Sequence, residues 1–296
     1  MTDLVATLET TTRNGRTTRV RQQAVQVALC VTSGAFNTGL LTYFTQRDLF
    51  PSLMRLVLDG TDPSDTTLPF LLTGVLANYN KFEAHNPYQI RFGEFDDQIT
   101  IVKLTQSVGT TCETLRDRYT AIQNDLPEAW SIGGTLSYVG LGALAGVRPA
   151  PAAPTEEEAK SMFAEQPEPS AAILLSTYEF VLTNKLFCTE LVGKQGQSAL
   201  GSFVSFSSYL LQHAHRSPRA ASYAHLVLNI LRILVEDPAL IKLMLETSAT
   251  VRLCRQRAPF LPMTRGDRPL AAALIDVMVD SINHNLRKRL DVDLYL

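Results

Sequence analysis

With 296 residues, 45% of them apolar, the chain can bury a large core as one elongated domain or two compact ones, which excludes disorder throughout. Its 27 Lys and Arg nearly balance 29 Asp and Glu, so no whole-chain field draws in nucleic acid and any basic site has to be local. The four cysteines, Cys30, Cys112, Cys188 and Cys254, form no Cys-x-x-Cys pair and lack the spacing of a zinc site, which fits a reducing compartment.

Met1 to Arg21 is rich in Thr and Arg and has no apolar run of the kind a secretory leader needs. Export is therefore not expected, and residues 1–20 are expected to be a disordered N-terminal segment. A first helical lobe is expected over 21–147. Within it, "RDLFPSL" marks a helix start or sharp corner, and Leu68, Leu71, Leu72, Val75, Leu76 and Tyr79 follow the spacing of a one-faced helix. The polar cluster after it, "ANYNKFEAHNPY", reads mostly as corner chemistry. Lys81 suits the negative end of the helix, while Asn86 and Pro87 supply the cap and first position of the next one.

Ala129 to Val147 carries no charge over 19 residues, close to the ~20 needed to cross a bilayer. Its five glycines and three Ser or Thr dilute that hydrophobicity, so a tightly packed helix explains it better, with a membrane span as the alternative. "GLGALAG" (140–146) lacks the Lys-Ser/Thr and the preceding strand of a phosphate loop and reads as close helix packing. Residues 148–170, with five prolines and a Glu triplet, are expected to be a disordered linker.

A second lobe, 171–296, is expected to continue the same solenoid. Gln195 to His215 is uncharged, but its five serines and two histidines make it a weaker candidate for a span. His213 and His215, two residues apart, point to different sides of a helix and read as a polar helix end rather than a metal chelate. Ser205, Ser207 and Ser208 read as small packing residues. "SPRAA" and "EDPAL" start helices with Ser217-Pro218 and Asp237-Pro238. "LVLNILRILV" is apolar on almost every side, which predicts a middle-layer helix, and Leu270, Leu274, Ile275, Met278 and Ile282 predict a one-faced helix. No sustained alternation marks a sheet. Short helices and sharp corners together predict an all-α stack of helical hairpins, an armadillo/HEAT-like α-solenoid.

Arg252, Arg255, Arg257, Arg265 and Arg268 punctuate a Pro-containing segment that cannot continue as helix. Arginine forks suit phosphate and carboxylate, so these five are candidates for contact with an acidic partner or a phosphoinositide headgroup. Asn78 falls where armadillo repeats carry a ladder asparagine and is a sixth candidate partner contact. The equivalent position in "LRILVEDP" is Ile233, which disfavours importin-like peptide capture. There is no Gly-x-Ser-x-Gly elbow and no acid, base and nucleophile constellation, so neither enzymatic activity nor a cofactor or metal is expected.

Four strings carry a resemblance: "YFTQRDLFPSLM", "LLTGVLANYNKFEAHNPYQIR", "VEDPAL" and "RPLAAALIDVMVDSINHNLRKRLDVDLYL". They resemble the armadillo-like helical domain-containing protein 3 family, from about Gln22 to Leu296 apart from the Pro/Glu segment. The resemblance implies a longer parent protein, of which this chain is a portion. It also implies a cytosolic α-solenoid at Golgi membranes, an adaptor that binds phosphatidylinositol 4-kinase beta and supports secretory trafficking. It implies no catalytic residue.

Overall fold

The structure, a computed structural model, describes residues 2–35, 38–79, 86–123, 156–193, 198–254 and 266–288. Fourteen α-helices are described: α1 Thr2–Asn14, α2 Thr18–Gly34, α3 Thr42–Thr45, α4 Phe50–Asp59, α5 Pro63–Asn78, α6 Pro87–Glu94, α7 Gln98–Gln123, α8 Glu156–Ala164, α9 Ile173–Thr183, α10 Lys185–Val192, α11 Ala199–His213, α12 Pro218–Glu236, α13 Pro238–Glu246 and α14 Leu270–Lys288. The described strands are two residues each, β1 Ser248–Ala249 and β2 Arg268–Pro269, paired antiparallel. The all-α solenoid of stacked hairpins expected from the pattern is what the chain forms.

Its corners are made by the residues that announce them. Asn86 accepts from Tyr88 N, Ser217 from Ala220 N and Asp237 from Ala239 N, each followed by proline at the helix start. Asn86 does more than cap. Its Nδ2 lies within 2.8 to 3.1 Å of the carbonyls of Leu76, Ala77 and Tyr79, so one buried amide ties the last turn of α5 to the first turn of α6. Asn184 repeats the device between elements further apart in sequence. It caps α10 through Phe187 N at 2.9 Å and donates to the carbonyls of Phe92 (2.9 Å) and Phe95 (2.6 Å) at the end of α6.

The layers differ from the expectation. α5 packs against α2, α4, α7 and α9, and buries residues on most of its circumference, including Phe70, Leu72, Thr73, Gly74 and Leu76. It is a middle helix, not a one-faced one. The uncharged, serine-rich α11 is the other, buried almost without interruption from Leu200 to His213 and packed on α7, α12 and α14. Its serines tolerate burial because the Ser205 and Ser207 hydroxyls donate to the carbonyls four residues back, both at 2.7 Å. The Ser205 and Ser208 oxygens in turn accept from the backbone N–H of Arg252 and Cys254. By contrast α12, which carries "LVLNILRILV", buries one stripe, Ala220, Ala224, Val227, Ile230, Leu231 and Leu234, and leaves Val235 exposed, so it is an outer helix.

Three further expectations are corrected. The N-terminal segment is not disordered in its described part: α1 covers Thr2–Asn14, buries Val5, Leu8 and Thr12, and is tethered by Glu9 to Arg47 at 2.6 Å. A stripe this narrow, closed by a threonine, lacks the apolar density of an obvious amphipathic helix. The described part of the 148–170 linker is likewise ordered, since α8 buries Phe163, and a short tight turn, Pro169–Ala172, leads into α9. Phe163 is the apolar anchor, stacking 4.2 Å from the His213 ring. Finally, α14 is not one-faced: Leu270, Ala273, Leu274 and Val277 point inward, whereas Ile275 and Ile282 face out.

Helices before and after residues 124–155 contribute to one hydrophobic core. Phe70 on α5 meets Phe180 on α9 at 5.6 Å, and Phe92 at the end of α6 meets Phe180 edge-on at 4.5 Å. Cys112, Cys188 and Cys254 are buried and Cys30 is exposed. Burial pushes the Cys188 thiol up to about 12 and raises the Cys112 thiol as well, so both behave as small apolar core residues.

Candidate partner-binding surfaces

The residues singled out in the sequence do not converge on one place. Asn78 is half-buried and turns its amide back onto its own helix, donating to the Gly74 carbonyl at 2.9 Å. Arg268 lies in β2, opposite Ala249, and its guanidinium pairs with Asp276 on α14. Arg252 is half-buried, held through its backbone by Ser205 of α11. Arg255, Arg257 and Arg265 lie outside the described residues, as do 129–147 and the glycines of 140–146. The base of the arginine segment is closed by the two-residue ladder and by the Thr250 hydroxyl, which donates to Asp267 at 2.7 Å.

His213 is not a surface polar end. It is buried in a cluster with Phe163 and Tyr119, the Tyr119 ring 5.3 Å away and nearly parallel, and those two rings are themselves 6.3 Å apart. Among the described residues no group of three or more His, Cys, Asp and Glu side chains gathers as a metal site would.

A concavity that sequence reasoning missed lies where α4 meets the corner between α6 and α7. Phe50, Met54 and Leu58 recur on α4 at intervals of four, so they fall on one side of the helix. Phe95 closes the far wall and packs edge-on against Phe50 at 5.4 Å. The result is a cleft of about 420 Å³, within the range of small-ligand and side-chain pockets. Its rim is charged. Arg91 is held by Asp48 at 2.9 Å, Asp97 accepts from the Thr100 hydroxyl, and Arg55 stands exposed on α4. Leu58, 41% exposed, is an apolar side chain that the core does not use. The signal available in the sequence was the Phe50, Met54, Leu58 interval, but the opposite wall comes from a helix corner 37 residues after Leu58, which no local pattern connects to it.

A stack of capped helical hairpins around a continuous core, with an apolar cleft at one of its corners, defines an armadillo-like helical scaffold. Comparison with known proteins agrees. Residues 268–296 match the family model described as armadillo-like helical domain-containing protein 3, C-terminal. A UPF0588 membrane protein of Schizosaccharomyces pombe is 25% identical over 279 residues, covering 92% of this chain and 44% of that protein. Armadillo-like helical domain-containing protein 3 of Danio rerio is 21% identical over 355 aligned positions, covering 100% of this chain and 48% of that protein. The resemblance to the armadillo-like helical domain-containing protein 3 family is thus borne out. The chain spans about half the length of these relatives. No solved structure matches it.

Proposed function

We propose that the chain is a non-enzymatic scaffold or adaptor that holds a protein partner, with a peripheral contact to a membrane surface. The observation that carries this reading is the cleft beside α4. It offers an apolar floor for one partner side chain, and Arg55 beside it can meet an acidic group on the same partner. The family resemblance supports a lipid kinase, phosphatidylinositol 4-kinase, as the partner and Golgi membranes and secretory trafficking as the setting. Affinity capture from cells with the wild type and with an Arg55→Glu, Leu58→Asp double variant tests it. Both residues are exposed, so the variant should melt within about 0.5 kcal/mol of the wild type while retaining on the order of a tenth of the partner. Equal recovery of every captured protein by the two would remove the cleft as the partner site.

The fission yeast relative is named as a membrane protein, which favours membrane association and supports a second reading, an integral protein with a span near 129–147. Among the described residues no helix is long and apolar enough to cross a membrane. Carbonate extraction separates the readings: the peripheral scaffold is expected to leave the membrane fraction, and retention in it would favour the span.

A further inference from the structure

Between Glu9 and Asp48 the sequence carries five arginines and no acidic residue, in a chain whose formal charge is −2. The fold sorts the five. Arg21 is buried and clamps the end of α1 to α4: its Nε donates to the Thr12 carbonyl at 2.7 Å and its Nη1 pairs with Asp59 at 2.7 Å. Arg47 is taken by Glu9. Arg13, Arg16 and Arg19 are exposed, and none of them forms an ion pair among the described residues. All three stand at one corner: Arg13 in the last turn of α1, Arg16 in the connection and Arg19 in the first turn of α2. That corner is bonded at both ends, since Gly15 N donates to the Thr11 carbonyl at 2.8 Å and the Thr17 hydroxyl accepts from Val20 N at 3.3 Å.

The carboxylates on the elements packed against this corner are already engaged. Glu9 is held by Arg47, Asp59 by Arg21, and Asp62 and Asp65 form the capping box that starts α5. The three guanidinium groups therefore set the local charge. Shape narrows the occupant. Arg13, Asn14 and residues 16–20 are all exposed, so the corner projects into solvent. Neither α1 nor α2 contains an aromatic residue, whereas the hot spots of protein partners sit on aromatic anchors packed into pockets. A projecting tip of arginine forks, with nothing to receive a partner side chain, suits a plane of phosphates. Val20, 41% exposed and next to Arg19, supplies an aliphatic group for the boundary between headgroups and acyl chains.

We infer that the corner between α1 and α2 is a peripheral docking surface for an anionic lipid bilayer, with Arg13, Arg16 and Arg19 meeting the headgroup phosphates. This locates the membrane contact proposed above and rests on that reading.

Vesicle co-sedimentation with the purified 296-residue chain is the test. Wild type is expected to bind phosphatidylcholine vesicles containing roughly one part in four phosphatidylserine on the order of a hundredfold more tightly than phosphatidylcholine alone, about fivefold for each arginine. Raising salt from about 0.1 M to about 0.5 M should remove most of that gain. An Arg13→Gln, Arg16→Gln, Arg19→Gln variant, checked for an unchanged melting curve, should bind the two kinds of vesicle alike. Arg232→Gln, which removes an exposed charge from α12, should bind as wild type does. Anionic binding by the triple variant equal to wild type, or an equal loss per charge in Arg232→Gln, would overturn the assignment to the corner while leaving peripheral membrane contact standing. Absence of wild-type binding to either vesicle would overturn both. Binding of a polyglutamate peptide instead, lost in the triple variant, would make the corner a protein contact and overturn the lipid assignment.

Discussion

Asn184→Ala is expected to lower the unfolding free energy by about 3 kcal/mol, the sum of a lost cap and of buried carbonyls left without a donor. Asn184 is 5% exposed and its side chain makes three hydrogen bonds that join two elements: it accepts from Phe187 N of α10, and it donates to Phe92 O and Phe95 O at the end of α6. Removing it frees the first turn of α10 and unties α10 from the end of α6. Urea unfolding followed by circular dichroism measures the loss. Asn184→Asp separates the two roles, because a carboxylate keeps the cap but presents no donor and faces two carbonyl oxygens. It should be at least as destabilising as alanine. Recovery of wild-type stability by aspartate would mean that the cap alone matters.

Gly74→Ala should cost a comparable amount, about 3 kcal/mol, although alanine is favoured over glycine in a helix by about 1 kcal/mol. A Cβ at position 74 would overlap the Ser176 hydroxyl and lie 2.5 Å from its backbone N and 2.8 Å from its Cα. Because two of those three atoms are backbone, α5 and α9 would have to move apart. That movement would loosen the bond in which Ser176 donates to the Phe70 carbonyl. Gly109→Ala provides an internal scale: its Cβ would meet Ala199 at 3.2 Å, a gap that small adjustments open, so its penalty should be markedly smaller. Equal midpoints in urea for the two variants would remove the argument that α5 and α9 make the closer approach.

Much of this was legible in the chain because the chemistry that ends and starts helices is local. Asn86-Pro87, Ser217-Pro218 and Asp237-Pro238 are caps in the structure because a short polar side chain and a proline satisfy the first turn wherever they stand. Layering was less legible. Ser205, Ser207 and Ser208 of α11 were legible as small packing residues, but the depth of the helix was not, since burial depends on hydroxyls that bond to carbonyls four residues back and leave little unsatisfied polarity in the core. α12 looked buried all round because its apolar residues outnumber those its neighbours cover. The same ambiguity hid the two faces of α14, whose inward and outward rows merge into one run when read linearly. The cleft could not be read at all, since Phe50 and Phe95 meet only through the tertiary fold. The arginine segment was visible as composition, but of its five arginines the described part holds Arg252 and Arg268, both anchored at its base.

The continuity of the core has a thermodynamic consequence. The cleft on α4 and the basic corner between α1 and α2 are carried by the same cluster of buried side chains, so they are not independent modules on a string. A ligand that binds the native state at either place stabilises that state by RT ln(1 + [L]/Kd). Stabilisation gained at one surface therefore also resists the global unfolding that would destroy the other.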